Sequence, residues 1–473
     1  MGIFKVSTAN IVSLALTLLT SFILPIFISV EQYGYWQLFS MYFGYLGFFV
    51  LGFNDGVLLN YAAYNYDEKL AAKFGTFKKF LTIMTLIETV ILIVVLFLSS
   101  KERNLEFYVY LLCIINILPM AINGLFTYMN QTTMRFSQYA VGNIFGNVAF
   151  SVIMVVLLIC GAKKALYYII AYTVAKYLVI GYYRITSKMV FTIKKEPFFS
   201  LKGEIIKNFK DGFPLMIASV FHGTIILVSR LLVENRFGIE TFSAYSFSLH
   251  TIVVATQFIG AISTVFYPIM KRTDGNILGQ MYNSFDKIAT IVSALLLLSY
   301  FLVIIAVKVI YAKYIVILDY LFWVYPLFIF QCKTNILVSN LFKVKNQPKT
   351  LIVIYALGTL INMAFVFTAY HLFESVYAIA CAVLLGYALW YYLCQIYIYR
   401  IEHWKLKMTV FYDLLLVSFF EVIVIVIKYF VDNIYSSAAI GLMVFLMACG
   451  IIYLLNKSRI NASLKEFKRL LKD

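Results

Sequence analysis

The chain has 473 residues, of which 63% are hydrophobic, 18% aromatic and 13% charged, about half the charged content of a soluble domain. That composition excludes a soluble globular fold and places the protein in a bilayer. The 39 Lys and Arg against 22 Asp and Glu give a formal charge of +17, which in so apolar a chain belongs beside anionic lipid headgroups and not on nucleic acid.

A hydrocarbon layer about 30 Å thick needs roughly 20 apolar residues per helix, and the sequence offers about fourteen such stretches. They run Thr8 to Val30, Trp36 to Tyr61, Phe80 to Leu98, Phe107 to Met129, Tyr139 to Ile159, Ala165 to Tyr183 and Phe213 to Val233. They continue with Phe242 to Met270, Ile288 to Val309, Ile315 to Phe342, Leu351 to Tyr370, Val376 to Tyr399, Leu414 to Phe430 and Ser437 to Leu455. The first lacks a small-residue cleavage site and is too long for a signal-peptide core, so it reads as a retained helix. Basic loops stay cytoplasmic, and an inside N-terminus puts roughly 28 of the 39 Lys and Arg on the inner side. Both termini are then cytoplasmic.

Two segments read as amphipathic helices on the inner leaflet. Phe198, Leu201, Ile205 and Phe209 recur at helical spacing among lysines, and Ile460, Leu464, Phe467 and Leu471 do the same in the tail. The chain also repeats itself. Leu125-Phe126 and Asn130-Gln131 return 216 residues later as Leu341-Phe342 and Asn346-Gln347, and Asn147-Val148-Ala149-Phe150 returns 215 later as Asn362-Met363-Ala364-Phe365. A turn at Tyr33-Gly34 is echoed by Phe237-Gly238. The copies run in the same direction, which predicts an all-α integral membrane protein with two parallel six-helix bundles around a central cavity and two appended helices. The divisions are 1–187 for the first lobe, 188–211 for a basic amphipathic linker, 212–400 for the second lobe, 401–455 for the added helices and 456–473 for the tail.

Intramembrane charges are costly and mark either function or pairing. The candidate intramembrane charges are the cations Lys176, Arg230 and Lys333 and the acids Asp55, Glu88 and Glu421. Lys176 and Lys333 have two open readings, ion pairs with Glu88 or Asp55 and contact with an anionic substrate. Arg230 either snorkels to headgroups or faces the interior. The amides Asn54, Asn123, Asn143, Asn147, Asn335 and Asn362 either line a polar cavity or bond helices together. Pro25, Pro119, Pro268 and Pro326 free backbone carbonyls and bend their helices, whereas Pro214 is read at the start of the seventh span. No GxxxxGK[ST] phosphate loop occurs, the four His are scattered, and the six Cys form no CxxC pair. Neither a cofactor nor a metal is expected, and no enzyme.

The run Glu31-Gln32-Tyr33-Gly34-Tyr35-Trp36-Gln37-Leu38, followed by Leu51-Gly52-Phe53-Asn54-Asp55-Gly56, resembles the start of the polysaccharide-biosynthesis flippases of the multidrug/oligosaccharidyl-lipid/polysaccharide exporter superfamily. Gly212-Phe213-Pro214-Leu215 and Phe266-Tyr267-Pro268 resemble the same family. Many members carry an Asp-Arg pair late in the seventh span, where this chain has Ser229-Arg230. The resemblance implies a two-lobed transporter in a bacterial plasma membrane that moves undecaprenyl-diphosphate-linked oligosaccharide, such as O-antigen or capsule repeat units. Membrane lipids and polysaccharide assembly machinery would be its partners. On that reading Lys176, Arg230 and Lys333 neutralise the diphosphate, Asn54, Asn147 and Asn335 meet the glycan, and Asp55 or Glu88 couples movement to H+ or Na+. The rival readings are an ion-coupled multidrug antiporter of the same superfamily and a membrane glycan polymerase or transferase.

Overall fold

The computed structural model describes residues 2–61, 64–253, 275–345, 347–405 and 408–448, with Thr256, Met270 and Gly450. Phe266-Tyr267-Pro268, Asn346 of the repeat, Cys449, the end of the last span and the basic tail lie outside the described residues. Among those described, every regular element is a helix. The chain forms two compact units, Met1–Val220 and Phe221–Asp473. The boundary differs from the lobes read at 187 and 212, because the linker packs within the first unit.

The first unit contains α1 (Gly2–Phe27), α2 (Val30–Phe43), α3 (Phe53–Asn60), α4 (Glu68–Ser99), α5 (Leu105–Ile115), α6 (Ile117–Thr132), α7 (Phe136–Ile159), α8 (Ala165–Thr186), α9 (Lys188–Thr192) and the opening of α10 (Phe198–Thr251). Side-chain caps start several of these. Ser29 accepts from the Gln32 amide at 3.2 Å, Asp67 from Leu70 at 2.7 Å and Asn104 from Phe107 at 3.0 Å. Ser29 therefore sets the first turn, and Tyr33-Gly34, read as a turn from sequence, lies inside α2.

The second predicted span is broken. A 3-10 turn at Leu46–Val50 ends at Leu51 and Gly52, both with positive φ (48° and 77°), and α3 leaves at an angle of 61°. Leu51 in the left-handed region costs about 1–2 kcal/mol, so the surrounding packing must hold the break. The opening of α10 is part of that packing. A Cβ on Gly56 would lie 1.9 Å from the Asn208 carbonyl oxygen, and one on Gly212 would lie 1.9 Å from the Gly52 oxygen. The Gly52-x-x-x-Gly56 spacing presents both glycines on one face, which lets two helix backbones touch. Thus two of the runs that carry the family resemblance are in direct contact.

Leu201 and Ile205 on the same part of α10 are buried with Phe53, Val57, Tyr61 and Phe74. Lys73 donates to Glu204 Oε1 at 2.6 Å, Tyr61 donates to Glu204 Oε2, and Asn60 donates to Asn208 at 3.0 Å. The segment predicted to rest on lipid is thus docked on α3 and α4 by its apolar face, and Phe199 remains exposed. It also runs unbroken into the seventh span, so Pro214 lies inside α10 and not at a helix start.

The second unit holds the rest of α10, which breaks at Gly238 (φ 81°), then α11 (Gly275–Leu297), α12 (Ser299–Val309), α13 (Leu321–Val324), α14 (Leu327–Lys333), α15 (Asn340–Val344), α16 (Pro348–Phe373), α17 (Val376–Ile401), α18 (Tyr412–Phe430) and α19 (Ile434–Ala448). Pro326 separates α13 from α14, and one π turn, Thr334–Ser339, joins α14 to α15.

Among the described residues nine helices are long and apolar enough to cross a membrane, ten with the bent pair of α2 and α3. Two features of the described residues lower that number relative to the sequence reading of about fourteen: one 54-residue helix, α10, covers the seventh predicted span and the start of the eighth, and α18 carries Asp413, Glu421 and Lys428 within 19 residues. The protein is an all-α, multi-pass membrane protein. Ile87, Val90, Ile91 and Val95 on α4 are all more than half exposed, the mark of a helix whose outer face meets lipid.

Candidate functional site

Lys176 sits in the middle of α8 and is half-buried. Its ammonium lies 4.6 Å from the Tyr172 ring centre and 5.7 Å from that of Phe43. Tyr172 is itself clasped edge-on by Trp36, Phe39, Phe43 and Phe150, at 5.0 to 5.9 Å. Ring faces stabilise a cation that has left water, by about 0.5–2 kcal/mol, without cancelling its charge. Two amides fix the helix behind it. Asn123 donates to the Lys176 carbonyl at 2.9 Å, and Asn116 donates to Thr173 Oγ1 at 2.7 Å. Among the described residues no carboxylate lies within ion-pair reach of Lys176, so of its two open readings the ion pair with Glu88 or Asp55 is not the arrangement observed.

The other first-unit residues are held apart from it. Asn54 is buried and donates to the Ala121 carbonyl at 3.1 Å, tying α3 to α6. Asn147 donates to Ser13 at 2.8 Å, tying α7 to α1. Asp55 accepts from the Tyr128 hydroxyl at 3.3 Å, in the first turn of α3. Glu88, half-buried on α4, keeps one carboxyl oxygen buried without a hydrogen-bond partner. Among the described residues no hydrogen bond or ion pair joins any of these to Lys176. Helix-to-helix bonding is the observed geometry of both amides.

In the second unit Arg230 donates to Ser246 at 3.2 Å and lies 5.4 Å from the centre of the Phe242 ring. The adjacent Ser229, which stands where the resemblance leads one to look for an acid, accepts from the Tyr245 hydroxyl at 3.0 Å. Serine and tyrosine side chains therefore lie beside this cation. Asn335 is half-buried in the π turn.

Lys333 has a different setting. It is 0% exposed and donates to Asp286 Oδ1 at 2.8 Å, to Thr290 Oγ1 at 2.7 Å and to Asp413 Oδ2. The acids offered by the sequence, Glu88 and Asp55, are not its partners; Asp286 on α11 and Asp413 on α18 are. Sequence reasoning missed both because it started those spans at Ile288 and Leu414, just beyond each acid. The available signal was Lys333 itself, since a lysine in an apolar helix demands an acid and these lie at the edges of neighbouring spans. Separately, an apolar groove of about 700 Å³ lies between α16 and α17, lined by Ala364, Phe365, Ala369, Phe373, Ala382 and Leu385.

Solved membrane transporters share this fold. The lipid II flippase MurJ in an inward closed conformation aligns with 94% of this chain and 98% of its own, at a TM-score of 0.71 and 13% identity. An inward-facing multidrug resistance MATE family transporter of the MOP superfamily aligns with 83% of this chain and 98% of its own, at 0.66 and 12%. A MOP superfamily transporter from Pyrococcus furiosus aligns with 84% of this chain and 95% of its own, at 0.59 and 12%. At such identities the likeness is one of fold. No curated protein sequence matches the chain. The family described as polysaccharide biosynthesis protein matches residues 1–274, more than half of the sequence, and the chain belongs to that family.

Proposed function

We propose that the protein is a flippase that carries undecaprenyl-diphosphate-linked oligosaccharide repeat units from the cytoplasmic to the outer leaflet of a bacterial plasma membrane, for export of a surface polysaccharide such as O-antigen or capsule. Both termini are cytoplasmic on this reading. The observation that carries it is Lys176, an intramembrane cation seated on aromatic rings with no acid among the described residues to neutralise it. A diphosphate is the anion such a cation suits, because a charge-assisted contact in a water-poor site is strong and an ammonium tolerates several phosphate geometries. Arg230, among Ser229, Ser246 and Tyr245, is the second cation of the proposal. Lys333 is enclosed by its two acids and leaves the proposed diphosphate site. Asn54, Asn147 and Asn335 remain proposed glycan contacts, the first two through groups not spent on neighbouring helices, and Asp55 or Glu88 the proposed coupling acid for H+ or Na+.

The test follows lipid-linked oligosaccharide in cells depleted of the protein. Completed units accumulating on the cytoplasmic leaflet support the flippase. Single units that reach the outer leaflet but fail to join would point to a polymerase, and unchanged pools would point to drug export; either result overturns the proposal.

A further inference from the structure

Lys333, Asp286 and Asp413 are 0%, 2% and 0% exposed, so the group is closed to water. One cation faces two carboxylates. With both acids ionised the cluster would hold a net negative charge inside the membrane-embedded unit, an arrangement that desolvation strongly disfavours. One further positive charge is required.

The two acids differ in what they receive. Asp286 Oδ1 accepts from Lys333 and, at 3.4 Å, from the Tyr391 hydroxyl. Asp413 accepts from Lys333 on Oδ2, while its Oδ1 is buried without a hydrogen-bond partner. A bare oxygen on one of two carboxylates that share a lysine is a seat for a proton. A metal ion needs several ligands at once, and among the described residues no group of three or more His, Cys, Asp or Glu side chains could hold one. The titratable groups that face the acids are Lys333 itself and the phenols of Tyr282, Tyr391, Tyr392 and Tyr399, from α11 and α17. Glu421 stands two turns further along α18. Lys333 is also the last residue before the Thr334–Ser339 π turn, and π turns of this kind are frequent at functional sites.

We propose that Asp413, held against Lys333 and Asp286, binds an exchangeable proton, and that this cluster is where the transporter couples movement to protons. The coupling part rests on the transport reading above and transfers its acid from Asp55 or Glu88 to the second unit. Binding of the proton does not rest on that reading.

The experiment uses the full-length protein, purified, placed in lipid vesicles and labelled with carboxyl-¹³C aspartate, and reads the infrared band of protonated aspartate at neutral pH. Asp413→Asn is expected to remove one protonated aspartate per chain. Asp286→Asn removes the same band, because Lys333 then balances Asp413 alone. Lys333→Met adds a second protonated aspartate, and Glu421→Gln changes nothing. An aspartate band that survives in both Asn variants overturns the proposal, even where Lys333→Met fails to fold. So does a wild type with no such band that is stabilised by sodium chloride over choline chloride, since a metal cation then supplies the charge. Translocation is measured separately in the same vesicles. Asp413→Asn is expected to abolish its dependence on an imposed proton gradient, and retained dependence overturns the coupling. Absence of any translocation in the wild type would instead count against the flippase reading and leave the infrared result standing.

Discussion

Lys176 keeps its ammonium 4.6 Å from the Tyr172 ring centre with no acid among the described residues, whereas Lys333 gives its charge to Asp286 and Asp413. Substitution at the two sites should therefore fail in different ways. Lys176→Gln loses only a cation–ring contact of about 0.5–2 kcal/mol, so the protein should insert and fold. Its translocation rate should fall by roughly 10- to 100-fold, the equivalent of a charge-assisted contact of about 1.5–3 kcal/mol. Lys333→Met strands two buried acids and should destabilise the protein by about 3–5 kcal/mol, seen as a lower unfolding temperature in detergent. Adding Asp286→Asn and Asp413→Asn to it should recover most of that loss, because a neutral cluster has no charge to compensate. Both lysines were legible in the sequence as intramembrane charges. Their partners were not: hydropathy windows stop where apolarity stops, while α11 and α18 extend past that point and carry Asp286 and Asp413 inward.

At the scale of the helix, close backbone contact explains why glycine recurs in the runs that carried the family resemblance. Gly56→Ala or Gly212→Ala drives a methyl group into backbone atoms at 1.9 Å and should destabilise the first unit by about 1–3 kcal/mol. Gly203→Ala is the control on the same helix. A Cβ there meets nothing within 4 Å, so the change should be neutral or stabilising by up to about 1 kcal/mol. Thermal unfolding of the three purified variants decides the point.

Prolines show a second element-scale device. Pro25 in α1 cannot bond the Ser21 carbonyl, and the Tyr33 hydroxyl donates to that oxygen at 3.3 Å. Pro119 in α6 leaves the Ile115 carbonyl, which accepts from Tyr177 at 3.1 Å. A freed carbonyl in lipid is thus served by a tyrosine from another helix. Tyr33→Phe should cost about 1 kcal/mol in the natural chain and less in a Pro25→Ala background, where the helix bonds its own carbonyl; a double-mutant cycle measures the difference. The prolines were visible in the sequence, but which side chain serves each carbonyl depends on helix packing. The amphipathic pattern of Leu201 and Ile205 was visible too, yet periodicity alone gives an apolar face without saying whether lipid or protein covers it.

At the scale of the whole molecule, the duplication read from short matches places each copy in its own compact unit. Leu125 and Phe126 near the end of α6 and Leu341 and Phe342 in α15 are all buried, and each pair precedes the long helix that carries Asn147 or Asn362. Fold class was therefore legible from hydropathy and repetition, and the family match over residues 1–274 agrees with it. The echo of Tyr33-Gly34 in Phe237-Gly238 fails structurally, because only Gly238 breaks its helix. The two intramembrane lysines fall in different units: Lys176 over aromatic rings in the first, with no carboxylate in ion-pair reach among the described residues, and Lys333 in a closed ion cluster in the second.

The central claim is that this chain moves an intact lipid-linked oligosaccharide across a bilayer. Its most direct test places the purified protein in vesicles loaded with undecaprenyl-diphosphate oligosaccharide and follows the fraction of glycan exposed to a membrane-impermeant sugar-oxidising reagent. The account predicts that the protected glycan becomes accessible in the presence of the natural chain, far more slowly with Lys176→Gln, and with no change in the covalent size of the lipid. Glycan that stays protected in vesicles containing folded natural protein, or translocation as fast with Lys176→Gln as without it, would contradict the account.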